Sequence, residues 1–538
     1  MRLSLNCAQA PMRVPAYDKL QLSLRAPFPL KDTLPYHYRN QSLAHNIKAQ
    51  AGIPTGEIAG IETGITPGLI DDTILITASK THITSETHIQ NLASSGSGTQ
   101  AAPYIIENLD YDGQQSTNWA LRFNDPDANY HVKFINCRFY DWTSQNLWFD
   151  TWGSGTITFE HCLFYNTAAN GELFLQTSGH ITLKECELSG CNSYAGYVTA
   201  TTAQGSLTLT NIYISNNSAN WASGCDVFFF NSPNLIINAA HIENQASMTP
   251  VTIDSLFQII ACQDGSTFSH IKINGGMAHM MSDIVATAAQ KSIIVTYFDI
   301  QNTAQEAILL SALNGTTIQH GTVQHNASTG SGYRLIYLIS DDTDSTIKIE
   351  NTTVQYLKMT KQSGSGAGNE CLESARAKNT AFRYCYVTEC TEDAFEHISV
   401  IENCSIEYCV AENCTGQIAD FFKQWDESSW SLVTDTNLAI DSQSYCHHIY
   451  GDCSNYAVIG TALNGFYFHD IHAINTGSTN LVPIKIEDLD GTAINTVHGA
   501  GALPLQHERG NGSSTPAIGQ NTATGSDINI TYFERENA

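Results

Sequence analysis

Apolar and polar residues alternate in short runs along this chain, and the runs recur. VKFINCRFYD (132–141), ITFEHCLFYN (157–166), ITLKECELSG (181–190) and LTLTNIYISN (207–216) share one pattern. An alternating strand leads to Cys or Ile, then polar, apolar, polar and a turn residue. Cys137, Cys162, Cys186 and Ile212 hold equivalent places, at spacings of 25, 24 and 26. The pattern continues less strictly at LIINAAHIEN (235–244), VTYFDIQN (295–302) and TIQHGTVQHN (317–326). It sharpens again at IKIENTTVQY (347–356), FRYCYVTEC (382–390) and SIEYCVAENC (405–414), with Cys385 and Cys409 24 apart. FYFHDIHAIN (466–475) and AINTVHGAG (493–501) read as the last coils.

A period in the twenties, with strand followed by turn, predicts an all-β chain: a right-handed parallel β-helix solenoid. A leucine-rich repeat has a similar period but needs a Leu consensus that is missing here, and a propeller blade needs about 40–45 residues. Stacking the coils turns equivalent small apolar positions into an internal ladder, and free Cys fills such places as a small buried hydrophobe. Asn166, Asn216, Asn244, Asn302 and Asn413 end the repeats, and Asn tolerates the left-handed geometry expected of the corners.

At 538 residues the chain exceeds the size at which one compact core stops growing, about 250–300 residues, and a solenoid avoids that limit. Three segments are expected. Residues 1–75 are non-repetitive and punctuated by Pro11, Pro15, Pro27, Pro29 and Pro35, which suits an N-terminal adaptor and cap. The β-helix runs over 76–505. Residues 506–538 combine a linker, GNGSSTPAIGQNTATGSD, with a strand-like terminal piece.

Charge narrows the partners. With 52 acidic and 25 basic residues the net charge is −27, which repels nucleic acid and anionic lipid. No apolar run reaches the roughly 18 residues of a membrane span, and the N-terminus lacks the apolar core of a secretory signal. Fifteen Cys, an odd number spread through a long chain, do not form a disulfide framework. Reduced thiols without an export signal suit a protein made in a reducing cytoplasm.

The run GSGTQAAPYIIENLDYDG (96–113), followed by LRFNDPDANYHVKFINCRF (121–139), resembles the opening coil of right-handed β-helix proteins of the pectate-lyase-like superfamily. The resemblance covers about 76–505 and implies the fold. The superfamily joins polysaccharide lyases, hydrolases, epimerases, bacteriophage tailspikes and structural spikes, so activity has to be read from a site. A bacteriophage spike or fibre is the leading expectation: a homotrimer with a shaft that binds host polysaccharide and with residues 1–75 joined to other virion proteins. The alternatives are a secreted, extracellular calcium-dependent polysaccharide lyase and a purely structural or adhesive β-helix.

Candidate chemistry concentrates in residues 369–426. Glu370, Glu373, Glu392, Asp393, Glu396, Asp420 and Asp426 fall beside turns, and TEDAFEH (391–397) lies one coil before GQIADFFKQWD (416–426). Carboxylates of consecutive coils then meet on one flank, and an all-oxygen cluster suits Ca²⁺. By resemblance to calcium-dependent lyases, Glu392, Asp393, Glu396 and Asp420 would hold the metal. Lys423 would be the base, with Arg383 beside it, and Arg376 or Arg383 would bind the substrate carboxylate. The family's paired Asp is Glu-Asp here. Separately, Trp142, Trp148 and Trp152 in YDWTSQNLWFDTW (140–152) offer faces for sugar rings, with Asp141 and Asp150 nearby. His447 and His448 face opposite sides of a strand and cannot chelate together.

Overall fold

The computed structural model describes residues 75–165 with three positions left out and 370–422 without a break. Between and beyond these it describes the strand segments as far as 487, with short pieces within 45–51 and 508–537. The chain is a parallel β-helix. One coil shows the plan. Val132–Ile135 and Arg138–Trp142 form two strands of one sheet, and Leu147–Trp152 forms a strand of a second. Thr156–Glu160 then starts the next coil, pairing in parallel with Val132–Ile135 so that Val132 meets Ile157 and Phe134 meets Phe159. The first sheet bends once per coil; the second is unbent in the first coils and kinks further along, at Ala312 and Arg376.

Strict alternation makes the core. Val132 and Phe134 point inward while Lys133 and Ile135 stay half-exposed, and the same parity recurs in Thr156–Glu160 and His180–Lys184. In-register stacking then lines like residues up along the axis. Tyr111, Phe139 and Phe164 stack face to face at 5.0 Å, and Phe123 lies on Phe149 at 4.2 Å. Each such fully buried side chain contributes about 1.5–3 kcal/mol.

The cysteine ladder is present as expected. Cys137, Cys162, Cys186, Cys385 and Cys409 are free and fully buried. Each points its Sγ at a carbonyl of the preceding coil, as Cys186 does toward Phe159 O at 3.4 Å. Burial pushes the Cys162 and Cys409 thiols well above their usual range, so this column is packing rather than redox chemistry.

The corners differ from expectation. The left-handed residue lies just before the ladder position that Cys or Ile most often fills, at Asn108, Asn136, His161, Glu185, Asn211, His270, Tyr297, His320, Tyr356, Tyr384, Tyr408 and His448, all with φ between 51° and 60°. Asn216, Asn244 and Asn302 lie within strands and Asn166 is outside the described residues, whereas Asn413 takes the expected left-handed geometry, with φ 57°. A side chain in this conformation costs roughly 1–2 kcal/mol. From His270 to His448 the coils offset that cost by stacking the corner rings on one another at 4.5–5.1 Å. Asparagine does govern a second corner, where the amides of Asn351, Asn379 and Asn403 each donate to the Asn of the coil before, at 2.9, 3.0 and 2.7 Å.

The helix Glu86–Leu92 buries Ile89 against the first coils. In the N-terminal segment, Lys48 pairs with Glu412 and sits 5.5 Å from the Tyr386 ring centroid. At the other end Phe533–Asn537 pairs in parallel with Tyr467–Asn475, so the terminal piece adds to the bent sheet. No helix among the described residues is long and apolar enough to cross a membrane.

Candidate functional site

The second sheet carries one continuous register column along the solenoid, and it faces outward where it begins. Its register runs His82, Arg122, Trp148, Phe174, Tyr197, Phe229 and Gln258 in successive coils. It continues through Ser282, Leu309, Tyr337, Glu373, Glu396 and Asp420. Arg122 and Trp148 set its direction, because their strand neighbours Leu121, Phe123, Leu147 and Phe149 are fully buried. A run of aromatic positions therefore leads toward three acids on consecutive coils.

At the acidic end a second row joins the first. Glu306, Arg334, Glu370 and Asp393 each precede by two residues the inward-facing Ile308, Ile336, Leu372 and Phe395, which pair coil to coil. Parallel strands stand about 4.8 Å apart, and the two rows bring their carboxylates to that spacing. Oxygens of Glu370, Glu373 and Glu396 lie within 4.8 Å of one another, as do those of Asp393, Glu396 and Asp420. Glu396 belongs to both groups. All five residues are buried, Glu373 and Asp420 completely.

The two groups are not equally neutralised. Arg334 Nε lies 2.5 Å from Glu373 Oε2 and 3.3 Å from Glu370 Oε2, so a guanidinium serves the first group. Lys361 Nζ donates to the Glu370 carbonyl at 3.4 Å. In the second group Asp393 Oδ1 accepts from the Gln417 amide at 2.9 Å. Neither oxygen of Asp420 has a hydrogen-bond donor among the described residues. Burial, then the surrounding carboxylates, pushes Glu396 and Asp420 well above the usual carboxylate range, and burial does the same to Asp393. An uncompensated buried carboxylate must bind either a proton or a cation.

The expected site residues divide accordingly. Asp393, Glu396 and Asp420 come together; Glu392 is half-buried and outside both groups. Arg383 lies on the bent sheet, with Nε 2.8 Å from Glu407 Oε1, away from the cluster. Arg376 is buried at a left-handed kink (φ 53°) in Leu372–Lys378. Lys423 lies outside the described residues. Of the three tryptophans only Trp148 faces outward. Trp142 is buried and donates Nε1–H to Tyr111 O at 3.2 Å. Trp152 is buried edge-on to Phe123 and Tyr130 and donates to Gly155 O at 3.1 Å. The reason is a shift in register between Phe123 and Asn124, which swings Trp152 to the inside. These two rings belong to the core and have no free face for a sugar.

Sequence reading did not single out Arg334, Glu306 or Lys361. Their signal is positional: EAILL, RLIYL, ECLES, DAFEH and QIADF align as one pre-strand motif. A further trio, Glu160, His161 and Glu185, is ligand-rich, but Lys133 and Lys184 already pair with Glu160, which makes it an ion-pair network. No protein-family model matches the chain, and no curated protein matches it.

Proposed function

We propose that this chain is a spike- or fibre-type β-helix of a virion that docks on host surface polysaccharide through the second sheet. The observation carrying this reading is the register column, in which outward-facing Trp148 shares one position of successive coils with Phe174, Tyr197 and Phe229 ahead of the acidic end. Sugar rings recognise aromatic positions spaced along an extended face, and a solenoid supplies that spacing at every coil. Assembly as a homotrimer, with residues 1–75 joined to other virion proteins, completes the proposal.

Calcium is the cation that Asp393, Glu396 and Asp420 fit. The donor set is all oxygen, three carboxylates offer up to six ligand atoms, and Asp420 lacks any other partner among the described residues. Because all three ligands are buried, such an ion would lie inside the wall and neutralise the acids rather than meet a polymer. A lyase has less support, because Arg383 is on the other sheet and paired with Glu407.

The test is binding of the whole chain to capsular and lipopolysaccharide preparations, with its size measured in the same buffers. Saturable binding by a trimer supports the reading. A monomer that binds none of them ends it, and release of unsaturated sugar products would reassign the chain to the lyases.

A further inference from the structure

The register column has a second charged end, in the first coils, and its chemistry is opposite to the acidic one. Lys80 and His82 are exposed, beside and within the strand Thr81–Ile83. Arg122 follows His82 in register, and Trp148 follows Arg122. Trp119, half-buried just before the strand Leu121–Asp125, completes the patch. The Arg122 guanidinium lies 4.9 Å from the Trp148 ring centroid and 5.9 Å from that of Trp119. Lys80 Nζ is 6.0 Å from the Trp119 centroid, and the His82 ring is 5.6 Å away. Among the described residues one acid pairs with this set: Asp150 Oδ2 accepts from Arg122 Nε at 2.6 Å and also pairs with its Nη2. Two fixed cations against one carboxylate leave the patch positive, on a chain whose net charge is −27.

From this juxtaposition we propose that Lys80, Trp119, Arg122 and Trp148 form a subsite for an anionic sugar unit, one bearing a carboxylate, within the polysaccharide that the second sheet docks on. The inference rests on the polysaccharide reading and names its substrate class. Both Arg122 contacts go to one oxygen of Asp150, so the far edge of the guanidinium keeps donors for an incoming carboxylate. Cation–π attraction to the Trp148 ring steadies that guanidinium, and its side chain remains 31% exposed. Trp119 and Trp148 supply apolar surface for the ring that carries the charge. A densely charged polyanion such as nucleic acid is repelled by the rest of the surface, whereas a single carboxylate per sugar meets only the local field.

The experiment compares an oligogalacturonate with its fully methyl-esterified counterpart, in EDTA so that no cation bridges carboxylates, on the full chain. The acid form is expected to bind more tightly than the ester. Arg122→Gln and Lys80→Gln should each weaken the acid form by about tenfold, as for loss of a hydrogen bond to a charged group, and leave the ester unchanged. Trp119→Ala should weaken both. An unchanged melting temperature confirms that each variant is folded. Equal binding of acid and ester, or full binding of the acid form by both charge variants, overturns the subsite while leaving polysaccharide docking in place. Failure of both forms to bind also overturns it, and host polysaccharide run alongside shows whether docking itself has failed too.

Discussion

The ring of Phe298 fills the space that a side chain at Gly321 would need. The two are partners on consecutive coils, and a Cβ at Gly321 would stand 2.1 Å from Phe298 Cζ. They occupy the same column as Cys186 and Cys409, so the internal ladder alternates size where a large residue enters it.

Gly321→Ala should therefore destabilise the protein by about 1–3 kcal/mol, the usual cost of overpacking a filled core. Phe298→Leu in the same chain should recover most of the loss. Urea unfolding of the two single variants and the double variant checks this, and additive losses would show that the two positions do not share their volume.

Calcium should raise the melting temperature of the wild-type chain, since a ligand at about 100 times its Kd stabilises by about 2.7 kcal/mol. Asp420→Asn should remove most of that response. In EDTA the same variant should be no less stable than wild type, because it deletes a buried carboxylate that has no donor among the described residues. Thermal scans with calcium and with EDTA separate the two effects.

Glu160 sets part of the acid limb of stability. Burial pushes its carboxyl up, but hydrogen bonds from Lys133 and Lys184 outweigh that and hold it at about 2. A depressed carboxylate stabilises the fold above its unfolded value of about 4.3 and loses that contribution as pH falls toward 2. Glu160→Gln should flatten the decline between those values, by about 1 kcal/mol once solvent screening is allowed for. Unfolding free energies measured across that range provide the comparison.

Trp148 and Trp152 should behave as opposites. Trp152→Ala removes a buried ring and should cost about 3–5 kcal/mol. Trp148→Ala should change stability by less than about 1 kcal/mol and weaken polysaccharide binding. Melting temperature and a binding isotherm on the same two variants give the answer, and equal destabilisation would place both rings in the core.

Much of the site was legible, and the parts that were not share a cause. The Asp393, Glu396 and Asp420 group could be expected because one coil separates the motifs, and consecutive coils pair in register. Arg334 could not, because it reaches Glu373 across 39 residues of chain that include an insertion between coils. The ring-stacked corner also escaped, since Tyr and His seldom adopt a left-handed φ and from His270 to His448 do so in a continuous stack of rings.

By itself the sequence determined the parallel solenoid, its coil period and its cysteine ladder, because each depends on a local alternation that stacking merely repeats. Only the tertiary structure decided which face each side chain takes beyond a shift in register, and which carboxylates share a cation of the chain and which do not. Trp152 turns inward on one irregular step after Phe123, and Asp420 lies two coils beyond Glu373, the acid that Arg334 reaches. Such outcomes depend on the summed register of many coils, which no single repeat contains.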